Sequence, residues 1–189
     1  MMSAFEYVTV LISIVISLGI TQILTGVASV LKKINKVQLY WPHLLWVIFV
    51  LLLHIQEWWV TYELKNYVPW RLPVFLFIMI YPINLFLMSR LLFPDKLKGK
   101  NLNLKDFYFS NYQKQYLLLC VSAALSVLYN VFILDLELAS QVLQILLILV
   151  LSSIALMNTR EILHKVVSIM LLLALCTSIV VEWNIWLIE

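Results

Sequence analysis

Six long runs of apolar residues, separated by short charged connections, constrain this chain more than any other feature. A transmembrane helix needs about 20 mostly apolar residues to cross a hydrocarbon core of about 30 Å. Helices are favoured over a β-barrel because the runs are continuous, whereas barrel strands alternate apolar and polar residues. We therefore predict an all-α integral membrane bundle of six transmembrane helices in a single domain, residues 1–189. The predicted spans are about 5–31, 41–60, 70–92, 114–134, 138–158 and 163–187.

The composition agrees with a bilayer as the solvent. Of the 189 residues, 63% are hydrophobic and 12% are charged, whereas a soluble domain has about 45–50% apolar and about 25% charged residues. A soluble fold of this size has too much surface to hide that many apolar side chains. Three glycines and two cysteines exclude a glycine-rich phosphate loop and a cysteine-based zinc site. We expect no bound cofactor and no metal.

Lysine and arginine are unequally divided between the two ends of the predicted bundle. Eleven of the 13 lie in the connections after the first, third and fifth spans, and seven of the ten Asp and Glu residues lie at the other end. Cytoplasmic loops carry the excess of Lys and Arg, so both termini are predicted to lie outside. The basic face is explained by this topology and by anionic lipid headgroups, and no nucleic-acid partner is expected.

The longest connection, residues 94–114, mixes lysines with aromatic residues. This composition predicts a short helix lying in the inner membrane interface before the fourth span begins. The functional alternative is that this basic segment docks a cytoplasmic protein partner.

Hydroxyl side chains recur at every fourth position along the first span, with Gln22 beside them. A step of four residues keeps successive side chains on one slowly drifting face of a helix. One interpretation is close helix packing, including contact between copies in a homo-oligomer. The other is a hydroxyl-lined polar path through an oligomer, with Glu6 at its outer mouth. The stripe consists of Thr9, Ser13, Ser17, Thr21, Thr25 and Ser29.

Ionisable residues are predicted to gather in the outer leaflet. His54 and Glu57 are three residues apart on the second span, and Glu182 and Glu6 reach a similar depth. Such a group could bind a cation, relay protons or hold a divalent metal. All three carboxylates lie within about one turn of water, so a structural or interfacial role is the alternative.

The third span contains Pro82 near its middle, and Asn84 follows two residues later. Proline removes one backbone hydrogen bond and leaves a carbonyl free, which predicts a kink. Together with Asn130 of the fourth span, these residues predict either interhelical hydrogen bonds or a binding cavity.

Two histidines raise a redox hypothesis. His43 and His164 are predicted at similar depth near the inner ends of their spans, where they could be the axial ligands of one haem. A haem- or quinone-binding subunit is therefore kept as an alternative.

Three runs of sequence are distinctive: residues 17–26 (SLGITQILTG), 40–46 (YWPHLLW) and 54–59 (HIQEWW). With Phe93-Pro94-Asp95, which fits the same pattern, they resemble a group of small, uncharacterised bacterial polytopic membrane proteins. The resemblance implies a multi-pass protein of the bacterial inner (plasma) membrane, and it implies no activity or substrate.

A channel or small transporter is the function that these features favour. No Lys, Asp or Glu lies in the middle of a span, and no nucleophile stands beside a base and an orienting group, so the chain is predicted not to be an enzyme. The lipid bilayer and further copies of the chain are the expected partners. The competing hypothesis is a non-conducting sensor or anchor that uses the basic segment 94–114.

Overall fold

The computed structural model describes residues 2–94 and 102–181. Within these residues the chain forms six α-helices, so the predicted all-α class is confirmed. The other regular elements of the described residues are two 3-10 helices (Ile34–Lys36 and Thr61–Asn66) and a pair of two-residue strands, β1 (Val37–Gln38) and β2 (Leu102–Asn103). The helices are α1 (Ala4–Lys32), α2 (Trp41–Val60), α3 (Leu72–Arg90), α4 (Leu104–Phe132), α5 (Leu138–Met157) and α6 (Glu161–Val181).

Five of these helices are long and apolar enough to cross a membrane: α1, α2 with the 3-10 turn that follows it, α3, α4 and α6. The remaining helix, α5, is also apolar, and its segment 141–157 is shorter than the other five. Large apolar side chains are exposed on every one of the six helices. That much apolar surface is expected where lipid rather than water surrounds the protein.

The predicted fourth span differs most from the helix that forms. The helix α4 begins at Leu104, ten residues earlier than predicted, because the Asn103 side chain accepts hydrogen bonds from the backbone amides of Lys105 and Asp106 and so caps it. The sequence predicted a separate short interfacial helix within the connection 94–114, but its residues from Leu104 onward form the first part of this continuous helix. Residues 95–101 of the predicted connection and the end of the sixth span, 182–187, lie outside the described residues.

Five helices close a ring in the order α2, α3, α4, α5, α6, with α6 packed back against α2. The helix α1 stays outside this ring and lies across α2 and α3. Between α3 and α4, Asn84 donates to the Leu118 carbonyl and to the Ser122 hydroxyl at 3.0 and 2.7 Å. The sequence predicted either interhelical hydrogen bonds or a binding cavity here, and Asn84 makes such interhelical hydrogen bonds. The helix α3 continues through Pro82, which is buried.

Two glycines allow the packed face of α1 to approach the ring of helices closely. A Cβ atom on Gly19 would lie 2.2 Å from His54 Nε2, and one on Gly26 would lie 2.1 Å from a ring carbon of Phe93. Both distances are far below a van der Waals contact. The two glycines let the α1 backbone touch these rings directly, in the way that small residues bring membrane helices together.

We expect Gly19→Ala and Gly26→Ala each to destabilise the protein by about 1–3 kcal/mol, because the added methyl group forces a packed ring to move. At Gly19 the displaced ring is His54, whose Nδ1 is bonded to the Val50 carbonyl at 2.8 Å. Thermal unfolding in mild detergent measures the effect. The matched control is Thr25→Ala on the exposed face of α1. Equal melting temperatures for all three variants would contradict the close packing.

Candidate functional site

A cavity of about 880 Å³ lies inside the five-helix ring. Each ring helix contributes to its wall, and no described residue of α1 does. We call this space the central cavity. Pockets that bind small molecules have volumes of about 300–1,000 Å³, so the central cavity has the size of a small-solute site.

The central cavity extends deep into the bundle from one end. Along α4 its lining runs from Leu119 to Phe132, which is about 20 Å at a rise of 1.5 Å per residue. Its mouth is formed by Asn66 and Tyr67 of the α2–α3 connection and by Asp135 of the α4–α5 connection. We call this the open end of the bundle.

Polar side chains from neighbouring ring helices meet on the cavity wall. Asn130 of α4 donates to Gln141 of α5 at 2.8 Å, and Gln144 of α5 donates to Ser178 of α6 at 3.2 Å. Ser122, the partner of Asn84, also lines the space. These bonds hold the ring together and leave an interior that combines amide and hydroxyl groups with apolar surface, which is the usual character of a small-molecule site.

Glu57 of α2 lines the same cavity, one turn before the end of its helix. The side chain is half-buried, and no ion pair to its carboxylate occurs within residues 2–94 and 102–181. Tyr81 and Tyr129 line the wall near it. An unpaired carboxylate inside a bundle of membrane helices is costly unless water or a bound cation compensates it.

Aromatic and histidine side chains close the other end of the ring. Phe49, which lines the cavity, stacks on Trp46 with ring centroids 5.3 Å apart, and Trp46 contacts Tyr116 at 4.8 Å. We call this group the aromatic plug. Its members, all buried, are Tyr40, His43, Trp46, Tyr108, Tyr112, Tyr116 and His164.

A chain of hydrogen bonds orders the plug. The Tyr108 hydroxyl lies 3.1 Å from the Tyr116 hydroxyl and 3.0 Å from His164 Nδ1, and His164 Nε2 lies 2.8 Å from the Asn158 carbonyl. The Tyr40 hydroxyl and Trp46 Nε1, in contrast, are buried without a hydrogen-bond partner among the described residues. A buried polar atom without a partner costs about 1–3 kcal/mol. Some buried polar atoms of the plug therefore lack hydrogen bonds in this conformation.

Burial also acts on the charge of the plug. It raises the pKa of the Tyr40 hydroxyl above its usual range, and the nearby Glu161 carboxylate acts in the same direction. The Tyr40 hydroxyl therefore keeps its proton to a higher pH than an exposed tyrosine does. Glu161 itself is held by Lys105 and by Lys165, so the beginnings of α4 and α6 are joined at this end.

The predicted outer ionisable cluster is not assembled among the described residues. Glu6 caps α1, where its carboxylate accepts from the Ser3 amide, and His54 packs against Gly19 on the other side of α2 from the cavity. Of this set only Glu57 enters the central cavity, and Glu182 lies outside the described residues. No group of three or more His, Cys, Asp or Glu side chains in the described part of the chain could hold a metal ion.

The hydroxyl stripe of α1 does not contribute to the central cavity. Ser17, Thr21 and Thr25 are exposed, and Thr9, Ser13 and Ser29 are half-buried at the edge of the packed face. A shallow groove runs over the stripe from Thr9 to Thr21 on the outside of the bundle. Gln22 lies beside the stripe and accepts a hydrogen bond from Arg90 of α3 at 3.1 Å.

The two histidines of the haem hypothesis lie at the same end of the bundle, as predicted. The ring of Tyr108 contacts both, with centroid distances of 6.2 Å to His43 and 5.5 Å to His164. Both nitrogens of His164 are engaged by protein groups. Iron would have to displace one of these hydrogen bonds to reach a nitrogen of His164.

Sequence reasoning found Glu57 and Asn130 but missed most of the cavity wall. Ser122, Ser126 and Asn130 are spaced by four residues on α4 and all line the cavity, so their helical spacing was the signal that could have pointed to it. The α5 residues Gln141 and Gln144 carried no comparable pattern.

Comparison with known proteins does not add to this description: no family model, curated protein or solved structure matches the chain. The function therefore has to be argued from the geometry and chemistry of the site.

We expect Tyr108→Phe to destabilise the protein by about 1–3 kcal/mol, because it leaves His164 Nδ1 and the Tyr116 hydroxyl buried without their shared partner. Tyr112→Phe is the control, since this buried ring on the same helix has a hydroxyl bonded only weakly, to Gln113 at 3.4 Å. Melting temperatures in detergent measure both variants. A Tyr108→Phe protein as stable as Tyr112→Phe would show that the hydrogen-bond chain does not stabilise the plug.

Proposed function

We propose that this protein is a non-enzymatic small-solute transporter whose binding site is the central cavity. The observation that supports this most directly is the closed ring of five apolar helices around a polar space of about 880 Å³. Apolar helices that leave an interior space lined by amides, hydroxyls and a carboxylate do so at a cost in packing. A solute that occupies the space offsets that cost.

The asymmetry of the ring supports transport over simple binding at a surface. The cavity is open at one end, and the aromatic plug closes the other. In transporters the binding site is reached from one side of the membrane at a time. The plug contains buried polar atoms without hydrogen-bond partners. A conformational change that supplies hydrogen-bond partners to these atoms would stabilise an open form of the plug.

The proposed topology follows from the distribution of charge. The plug lies at the end that carries most Lys and Arg residues, and the mouth of the cavity lies at the end that carries most acids. With six membrane crossings and both termini outside, the cavity faces out and the plug faces the cytoplasm. This orientation fits the multi-pass bacterial inner-membrane protein predicted from the sequence.

The α1 stripe supports a separate proposal, that copies of the chain associate through this helix. Ser17, Thr21 and Thr25 of the stripe are exposed on the outside of the ring, where a second copy can reach them. Small and hydroxyl-bearing faces promote contact between membrane helices. In this proposal the solute path lies within each copy, rather than along α1 between copies.

Cysteine accessibility tests the proposed site without knowledge of the solute. With Cys120 and Cys176 replaced by alanine, Ser126→Cys places a thiol in the cavity wall, and Leu128→Cys places one on the exposed face of the same helix. We expect a neutral, hydrophilic methanethiosulfonate to label the first thiol in membranes at least about ten times faster than the second, because thiolates form in water and not in lipid.

The side of access tests the orientation in the same preparation. An impermeant reagent added to intact cells is expected to reach the Ser126→Cys thiol. Labelling only in inverted vesicles would reverse the proposed topology. Equal, slow labelling at both positions would show that the cavity is not a water-filled site, and the proposed function would fail.

A further inference from the structure

The ionisable side chains that line the central cavity are all acidic. Among the described residues of its wall these are Glu57, Glu63 and Asp135, and no Lys, Arg or His is present. Clefts of one charge with walls of low dielectric constant concentrate counter-ions and raise their association rates by about 10-fold to 1,000-fold. The electrostatic field of the cavity therefore favours a positively charged solute.

The three carboxylates differ in depth. Glu63 and Asp135 are exposed at the mouth, whereas Glu57 is half-buried further in, among the side chains of the ring. Solvent screens the outer pair, and the interaction of Glu57 with a bound cation is screened less. Glu57 is thus the group whose charge a bound solute would compensate.

Six of the 30 residues that line the cavity are aromatic. A cation over the face of an aromatic ring is stabilised by about 0.5–1 kcal/mol at exposed sites and by about 2 kcal/mol or more when desolvated. Rings of this kind together with a carboxylate are typical of sites for quaternary ammonium groups. The aromatic residues of the lining are Phe49, Trp59, Tyr67, Tyr81, Tyr129 and Phe132.

The size and ligand set of the cavity separate an organic cation from a metal ion. A bound metal needs several His, Cys, Asp or Glu ligands within a few ångströms, and the described residues contain no group of three that could hold one. A space of about 880 Å³ is also far larger than an inorganic ion. It suits a molecule that carries apolar groups around its charge.

We propose that the central cavity binds a monovalent organic cation, an amine or a quaternary ammonium compound, with Glu57 as its counter-charge and the aromatic wall around its apolar part. This proposal rests on the proposed function and specifies the class of solute. Binding of such a cation involves no covalent chemistry and no further bound component.

Reagents that differ only in charge test the proposal on the Ser126→Cys protein described above. Three methanethiosulfonates are compared: the trimethylammonium-ethyl, the hydroxyethyl and the sulfonatoethyl compounds, which are cationic, neutral and anionic. We expect the cationic-to-anionic rate ratio to exceed the ratio measured with a free thiol in water by about tenfold or more. Adding Glu57→Gln should remove most of this preference.

The matched control is Glu6→Gln. Glu6 is a carboxylate at the same end of the bundle and does not line the cavity, and glutamine preserves its capping interaction with Ser3. The control should leave the charge preference unchanged. A loss of preference equal to that of Glu57→Gln would assign it to the surface field and overturn the proposal.

Protection by tetraethylammonium is the second measurement and needs no variant of Glu57. We expect tetraethylammonium, but not magnesium or sodium chloride at equal ionic strength, to slow labelling of the Ser126→Cys thiol by the neutral reagent at least about fivefold. Rapid labelling by the neutral reagent, with no charge preference and no protection by tetraethylammonium, would overturn the proposal of an organic cation. The proposed transporter function would be unaffected by that result. Protection by magnesium alone would replace the organic cation with an inorganic one. Absence of labelling by all three reagents would refute the water-filled cavity itself.

Discussion

Packing of α6 against α2 closes the ring, and the site depends on that closure. Without it the polar side chains of α4 and α5 would face lipid, where each unsatisfied polar group costs several kcal/mol. The closed ring turns these groups inward, and Asn130–Gln141 and Gln144–Ser178 bridge successive helices. The same bonds that stabilise the ring line its interior. Under the proposed function, one set of residues would therefore serve both helix packing and solute binding.

The interior of the ring is packed differently at its two ends. At one end large rings fill the space, with Trp46 against Phe49 and Tyr116 and with Tyr108 bonded to Tyr116 and His164. At the other end smaller side chains such as Ser126 and Ala123 leave the space open. The interior is thus divided into a plug filled by packed rings and a cavity bordered in part by small side chains. The acidic groups lie on the open side and most basic residues lie beyond the plug, so the polarity of the site agrees with the charge asymmetry of the chain.

The helix α1 shows how a strong sequence pattern can mislead about function. Its hydroxyl stripe is the most regular feature of the chain, yet it faces away from the ring. Gly19 and Gly26 decide the orientation instead, because only a face without side chains approaches His54 and Phe93 closely enough to pack. His54 packs against Gly19 of α1, whereas Glu57 lines the central cavity. The predicted cluster is therefore not assembled among the described residues.

The sequence by itself determined the helical class and the apolar character of the long helices, because hydropathy and chain length dictate which segments form helices able to cross lipid. It also located Glu57 and Asn130. The early start of α4 escaped prediction, since it depends on the Asn103 cap and on burial of Tyr108 against partners distant in the chain. Only the tertiary structure decided which helix stays outside the ring and which faces look inward. In a chain that is apolar on all sides, hydropathy does not distinguish a lipid-facing surface from a packed one, and the choice falls to the fit of side chains between helices.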